Sequence, residues 1–234
     1  MTPRRKRLLL GLAVALTVAG SLFQFGFRPW QRSWGATREE VARPMPGDDF
    51  VRAPTWTATR AVAIKAEPEQ VWPWLVQLGY RRAGFYSWDR LDNAGIPSAR
   101  QVLPEYQGLK QGDLLPVSAH VNLRVRHLEA PRALVLSSEE GADVRWSWAW
   151  VLYPDGAGGT RLVSRVRLEG VGWTTRLLLD AGELIMIRKH LLGIRDRAED
   201  RGLSPPPRRR RRRYHDRDAA AAGLHSPSSS HIPR

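Results

Sequence analysis

Residues 59–92, TRAVAIKAEPEQVWPWLVQLGYRRAGFYSWDRLD, decide the fold that this sequence predicts. Residues 59–66 alternate small and β-branched side chains, which is typical of a strand. Pro68 is suited to the first turn of a helix, and Gly79 is suited to its end. A second short helix is expected between Gly84 and Gly95. The stretch therefore predicts one strand followed by two short helices.

Four later segments have the pattern of strands, at residues 121–126, 133–137, 145–150 and 161–168. Three of them alternate apolar and polar residues, and short turns separate them, which predicts an antiparallel meander. One face of this sheet should be apolar and the other polar. The residues expected on the apolar face are Val121, Leu123, Val125, Leu134, Leu136, Trp146, Trp148, Trp150, Leu162, Ser164, Val166 and Leu168.

The period changes between Trp173 and Gly202, where apolar residues recur every three or four positions. This spacing predicts one long amphipathic helix that Gly202 ends. Because its apolar stripe must be covered, we expect the helix to pack against the sheet.

Three motifs point to a known fold: AxPExVW from Ala66, GxYSxD from Gly84 and IRxxLxGIxxRAE from Ile187. They resemble the START/Bet v 1-like superfamily, and more narrowly the bacterial polyketide cyclase/dehydrase-like (SRPBCC) proteins. The resemblance covers residues 35–202. It implies an α+β helix-grip fold, in which a curved antiparallel sheet wraps around the long C-terminal helix and encloses an apolar cavity.

The formal net charge of +14 lies mostly at the two ends of the chain. Residues 1–34 contain six Lys/Arg and no acid, and residues 203–234 contain eight Arg and two Asp. The middle, residues 35–202, has 23 basic and 21 acidic residues, so this composition does not indicate a nucleic-acid partner. We therefore expect three regions: an N-terminal segment (1–34), a helix-grip domain (35–202) and a disordered tail (203–234).

Residues 8–27, LLLGLAVALTVAGSLFQFGF, are uncharged and long enough to cross a bilayer as a helix of roughly 30 Å. A cleaved signal peptide is the alternative. Against cleavage, the apolar run continues beyond Gly20, and Trp30 and Trp34 follow it at the expected interface. We therefore expect a single-pass membrane protein, and the resemblance to bacterial proteins implies a bacterial plasma membrane.

The orientation in that membrane has conflicting signals. The basic residues 4–7 favour a cytoplasmic N-terminus and a domain outside, whereas Arg28 and Arg32 on the other flank oppose this. The arginine run Arg208 to Arg213 could contact anionic lipid, which on a cytoplasmic leaflet would place the domain inside.

The aromatic row Trp146, Trp148 and Trp150 is suited to stacking on a flat or polycyclic ligand, although core packing explains such rings equally well. Ser164 is the polar side chain expected on the same apolar face. A second group, Tyr86, Trp88 and Asp89, could place polar atoms at the cavity mouth. For Asp89 and the neighbouring Ser87, a capping role in a turn is the alternative.

Other candidates are weaker. Asp180, Glu183 and His190 fall on the long helix, and we interpret them as part of its solvated surface. His120 and His127 lack a third ligand, so no metal site is expected. The sequence has no cysteine and no Gly-rich phosphate loop, and we expect no cofactor.

The sequence favours a membrane-anchored domain that binds an apolar small molecule or lipid, because the apolar sheet face offers no acid or base. Two alternatives stay open. One is a cyclase/dehydratase-type enzyme that uses Tyr86, Asp89 or His190 as proton carrier. The other is a scaffold whose basic tail binds anionic membrane surfaces.

Overall fold

The computed structural model describes residues 3–139, 141–143 and 145–200. The tail, with the arginine run Arg208 to Arg213, lies outside the described residues. The helices are α1 (Pro3–Ser21), α2 (Arg28–Arg32), α3 (Arg38–Ala42), α4 (Pro68–Val76), α5 (Asp89–Asp92) and α6 (Trp173–Ala198). The strands are β1 (Trp56–Ile64), β2 (Leu114–Pro116), β3 (Asn122–Glu129), β4 (Ala133–Ser137), β5 (Arg145–Pro154) and β6 (Thr160–Glu169).

The six strands form one antiparallel sheet in the order β1-β6-β5-β4-β3-β2. This confirms the predicted α+β class and the meander, in which each strand from β2 to β6 pairs with the next. The first strand closes on the last one, with Trp56 opposite Leu168 and Ile64 opposite Thr160. A register shift between Val125 and His127 marks a bulge in β3.

Two predicted elements differ from the structure. The short strand β2 had no alternating pattern and was not predicted. The helix expected between Gly84 and Gly95 is only the single turn α5. Gly84 and Tyr86 both have positive φ values, 76° and 58°, and such a backbone cannot continue a right-handed helix.

The long helix α6 covers one face of the sheet. Its buried Ile187, Leu191 and Ile194 pack in the main core with sheet residues such as Leu134 and Trp150. Near its end, α6 passes so close to the backbone of Tyr86 that a Cβ on Gly193 would meet the Tyr86 carbonyl oxygen at 2.3 Å.

The other face of the sheet is covered by residues 36–50, which contradicts the expected solvated surface. Met45 packs with Val135 and Val163 in a second apolar cluster, and Phe50 packs against it. A capping box begins the helix α3: Thr37 Oγ1 accepts a hydrogen bond from the Glu40 backbone N–H, and Glu40 Oε2 accepts one from that of Thr37.

Arginines of β6 hold this covering segment in place. Arg165, on the face of the sheet that was expected to be polar, is buried and donates to the carbonyl oxygens of Glu40, Val41 and Arg43 and to Asp48 Oδ2. These bonds replace the water contacts that the guanidinium loses on burial.

The N-terminal 30 residues, Pro3–Arg32, form a helix long and apolar enough to cross a membrane. A signal sequence has the same properties, so both interpretations of residues 8–27 stay open. The segment 22–27 between α1 and α2 has π-helical hydrogen bonding, and α2 packs against α6 and β1.

Candidate functional site

A cavity of about 430 Å³ lies between the sheet, α6 and residues 85–92. Its apolar lining residues are Trp56, Phe85, Val117, Trp146, Trp148, Val166, Leu168, Val171, Leu179, Met186 and Ile187. Its polar lining residues are Ser87, Asp92, Thr175, Glu183 and His190. The volume falls within the range of roughly 300–1,000 Å³ that is typical of small-molecule sites.

The predicted tryptophan row forms one wall and part of the core behind it. Trp146 and Trp148 line the cavity with ring planes 14° apart, and Phe85 stacks on Trp148 at a centroid distance of 5.9 Å. Trp150 is fully buried behind them, and its ring centroid lies 4.3 Å from that of Trp148. Ser164 Oγ accepts a 3.0 Å hydrogen bond from Trp148 Nε1, so this hydroxyl fixes the indole. A ligand contact by these four residues stays a prediction.

His190 is 2% exposed, so its interpretation as a solvated helix residue is wrong. Its Nε2 accepts a hydrogen bond from Trp150 Nε1 at 3.0 Å, and its Nδ1 lies 2.6 Å from the Phe85 carbonyl oxygen. Both contacts are hydrogen bonds when Nδ1 carries a proton and Nε2 does not, and in this tautomer the imidazole is neutral. Burial lowers the pKa of His190 to about 4. Because both nitrogens are engaged, His190 is poorly placed to carry a proton for a substrate.

Asp180 is also buried, at 0% exposure, which corrects the second assignment on α6. Arg28 and Arg32 form ion pairs with its carboxylate, and Trp56 Nε1 donates to Oδ1 at 2.9 Å. Burial acts to raise the pKa of Asp180, but the hydrogen bonds from Arg32, Trp56 and Arg28 outweigh it and lower the pKa below its ordinary value. The end of the N-terminal helix is therefore fixed to α6 by a buried charge.

Glu183 lies one turn further along α6 and lines the cavity. Its carboxylate pairs with the buried guanidinium of Arg60, which also donates to the Gln31 carbonyl oxygen at 2.7 Å. Burial raises the pKa of Glu183, Arg60 opposes this, and the negative charge of Asp180 adds to it. The sequence analysis placed Glu183 on the solvated surface of the helix, and the structure contradicts this.

Asp92 is the second carboxyl group in the cavity lining. Burial, together with the nearby Asp89, raises the pKa of Asp92, while a hydrogen bond from Ser87 opposes the shift. Two acids with raised pKa values thus line an otherwise apolar cavity, which is a combination that marks candidate functional sites.

Tyr86, Trp88 and Asp89 line a separate groove on the outer side of α6. The buried Tyr86 hydroxyl donates to the Trp74 carbonyl oxygen and accepts from Gln77 Nε2, and burial raises its pKa. Asp89 Oδ1 accepts from Ser98 Oγ, and Trp88 is 46% exposed. The structure does not bring these three to the cavity, where Ser87 and Asp92 stand instead; a ligand role for them stays a prediction.

Trp56 and Asp92 line the cavity and were missed, as was Arg60, the partner of Glu183; the sequence contained a signal for Trp56 and Arg60. Extending the alternation of Val62 and Ile64 backwards places Arg60 and Trp56 on the apolar face. The spacing of the α6 stripe likewise includes Asp180, Glu183 and His190. Asp92 had no such signal, because its position depends on the irregular backbone before α5.

Among the described residues, no group of three or more His, Asp or Glu side chains could hold a metal ion. His120 and His127, the candidates weighed from the sequence, do not converge with other ligands in that part of the chain.

Comparisons with known proteins leave the family open. No family model and no curated protein matches this chain. Among solved structures, a conserved protein of unknown function from Enterococcus faecalis is 14% identical, with a TM-score of 0.43, over 68% of this chain and 84% of that one. CalU16 from Micromonospora echinospora is 16% identical, with a TM-score of 0.32, over 62% and 84% of the two chains.

DynU16, a protein of the dynemicin biosynthetic locus, is 18% identical with a TM-score of 0.39. The match covers 58% of this chain and 46% of DynU16, so the chain spans less than half of that protein. Similarities at this level carry no argument about activity.

Proposed function

We propose that this protein is a membrane-anchored binding domain for an apolar small molecule or lipid, held in the cavity between the sheet and α6. The observation that carries the proposal is the cavity itself, about 430 Å³ with mainly aromatic and aliphatic walls. Burying a ligand there removes apolar surface on both sides from water, at roughly 25 cal/mol per Å².

The aromatic wall suggests the shape of the ligand, and the polar groups of the cavity suggest its chemistry. Trp146 and Trp148 offer stacked, nearly parallel rings on one side. Asp92 and Glu183 add two carboxyl groups to the lining, and the pKa of both is raised by burial. A carboxyl group accepts a hydrogen bond, and donates one when it is protonated. The cavity therefore suits a flat apolar molecule with a carbonyl or hydroxyl group.

The remaining parts of the proposal follow the sequence prediction. The resemblance supports a helix-grip arrangement of residues 35–202, and the apolar helix supports a single-pass anchor. Residues 28–32 contact the domain, so the anchor and the domain meet before residue 34. A contact of Arg208 to Arg213 with anionic lipid remains part of the proposal for the tail.

A cyclase/dehydratase-type enzyme is the second candidate. The raised pKa values of Asp92 and Glu183 inside a cavity favour it, since acids and bases of enzymes have such values. On this proposal Asp92 replaces Tyr86, Asp89 and His190 as proton carrier, because the polar atoms of those three are engaged with the protein.

The test uses two neighbouring threonines of α6. Thr175 is exposed and lines the cavity, whereas Thr174 is exposed and does not line it. We expect Thr175→Trp to obstruct the cavity and Thr174→Trp to leave it open. The full chain in nanodiscs is titrated with pyrene, and energy transfer from tryptophan to pyrene is measured.

Thr175→Trp should weaken the saturable part of this signal by about tenfold, and Thr174→Trp should keep it within about twofold. Pyrene dissolved in the lipid gives the same background in both variants. Equal signals from wild type and both variants would show that the cavity does not take the ligand. To distinguish the enzyme, Asp92→Asn should retain pyrene binding while abolishing any turnover.

A further inference from the structure

A second groove, of about 780 Å³, lies on the outer side of α6 and has no role in the cavity proposal. One wall comes from Trp30 and Trp34, at the end of the N-terminal helix, and the other from Trp88 and α6. Trp30 is 54% exposed and Ile185, on the α6 wall, is 60% exposed. The groove thus combines exposed apolar side chains with the point where the proposed membrane helix meets the domain.

Three cations line this groove: Arg197 donates to the carbonyl oxygens of Ala99 and Gly193, whereas Arg188 and Lys189 lie against tryptophan rings. The Arg188 guanidinium lies 5.3 Å from the ring centroid of Trp34, and Lys189 Nζ lies 3.7 Å from that of Trp88. Within the described part of the chain, neither side chain forms an ion pair or hydrogen bond with another residue. The rings hold the two cations in place but do not neutralise them, so their charges remain available to an anion.

Two carboxyl groups also line the groove, against three cations. Asp196 pairs with Arg195 at 2.9 Å, whereas Asp89 accepts a hydrogen bond from the hydroxyl of Ser98, which carries no charge. The groove therefore presents a local excess of positive charge from Arg188 and Lys189, next to apolar surface.

The position relative to the membrane follows from the helix length. Thirty residues span about 45 Å, whereas the hydrocarbon core of a bilayer is about 30 Å thick. The last turns of the helix, with Trp30, therefore reach the headgroup region, where tryptophan is enriched. The exposed Trp30 and Ile185 would contact acyl chains, while Arg188 and Lys189 face the phosphates.

We infer that this groove binds the headgroup of an anionic phospholipid from the leaflet next to the domain. Arg188 and Lys189 bind the phosphate, and Trp30 and Ile185 pack on the upper part of the acyl chains. The inference rests on the proposed membrane span, but it is independent of any ligand in the cavity. This lipid contact also differs from one made by Arg208 to Arg213, because side chains of the folded domain and of the N-terminal helix form the groove.

The experiment is native mass spectrometry of the full chain in a neutral detergent, with dioleoyl-phosphatidylglycerol and dioleoyl-phosphatidylcholine added in equal amounts. We expect the wild type to prefer the phosphatidylglycerol. The double variant Arg188→Gln/Lys189→Gln should reduce that preference about tenfold. The matched control Arg38→Gln/Lys110→Gln removes two other exposed cations and should retain it. Residues 203–234 are unchanged in the wild type and in both double variants, so a difference between these proteins does not come from the tail.

A second pair of variants tests the groove without removing its cations. Ile185→Glu places a negative charge in the groove and should abolish the preference, whereas Leu114→Glu, at an exposed leucine outside the groove, should not. The inference is overturned if both double variants lose the preference equally, or if inorganic phosphate binds the wild type as well as the lipid does. Alkaline carbonate extraction of membranes tests the span separately, so its failure is distinguishable from failure of the groove.

Discussion

The two faces of the sheet are closed in different ways. On one face, residues 36–50 lie directly on the strands, and the buried Arg165 binds three carbonyl oxygens and a carboxylate of this cover. On the other face, the second half of α6 packs in the main core through Ile187, Leu191 and Ile194, whereas its first half reaches the sheet through Leu179 and the polar contacts of Asp180 and Glu183. Its first half leaves the cavity open.

The difference follows from the geometry of the two covers. An irregular segment can follow the strands closely if side chains satisfy its backbone groups, and the β6 arginines do so. A straight helix touches a twisted sheet along a limited length, and the space beyond that length must be filled by side chains or remain empty. In this protein the empty part lies beside Asp92 and Glu183.

The largest effect is expected from removing the arginine that closes the first of these faces. Arg165→Ala leaves several carbonyl oxygens and Asp48 without their buried partner, and we expect a loss of about 3–5 kcal/mol in the free energy of unfolding. Urea unfolding of the full chain in mild detergent measures it. Arg132→Ala, at an exposed arginine, should change stability by less than about 0.5 kcal/mol. A loss below about 1 kcal/mol for Arg165→Ala would mean that this cover is not held by Arg165.

The α6 face should respond to pH through His190. Its pKa of about 4 in the folded protein lies below the ordinary histidine value near 6.5. The unfolded chain therefore binds a proton as the pH falls through about 6.5, while the folded protein does not until about pH 4. The stability that the neutral His190 contributes is complete above the pKa of histidine in the unfolded chain. This contribution to the free energy of unfolding is on the order of 3 kcal/mol, and it is lost as the pH falls towards 4.

Urea unfolding between pH 4.5 and 7.5 measures this slope. His190→Gln should flatten it, although it also lowers stability at every pH because two buried hydrogen bonds change. His120→Gln, at an exposed histidine, should retain the slope. An unchanged slope in His190→Gln would contradict the neutral, buried state of this imidazole.

The smallest effect comes from one substitution made on both faces of β6. Val163 packs in the closed cluster and Val166 lines the cavity. Val163→Leu should destabilise the protein by about 1–3 kcal/mol, because the added methylene has no space. Val166→Leu should be neutral or stabilise it by up to about 1 kcal/mol, since the methylene enters the cavity. Thermal unfolding distinguishes the two, and equal losses would show that neither face has free space.

The strands β3, β5 and β6 could be predicted because alternation persists along each of them, and β4 could be predicted as a short apolar run. Trp146, Trp148 and Trp150 lie on the apolar face as expected, and Leu134 and Leu136 lie beside them in the core. The bulge in β3 shifts its pairing with β4 only after Val125, so the predicted faces of the earlier residues are kept. The short strand β2 and the single turn α5 lacked any periodic signal, because their backbones are set by contacts with distant residues and by positive φ values.

The candidate site was predicted less completely. Trp146 and Trp148 were identified as possible cavity walls, but the charged residues of α6 were assigned to the surface. A buried carboxylate or imidazole requires partners, and those of Asp180 and His190 are remote in sequence: Arg28, Arg32 and Trp56 for the first, Phe85 and Trp150 for the second. Spacing along one helix cannot show such partners.

The sequence by itself determined the apolar N-terminal helix, because it is a continuous apolar run, and the antiparallel sheet and the long helix, because their residues follow local hydrophobic patterns. Only the tertiary structure decided that residues 36–50 close one face and that the other keeps a cavity. It also decided which polar side chains are buried. Burial of a charge depends on whether partners from distant segments meet it, and that meeting is a property of the folded chain.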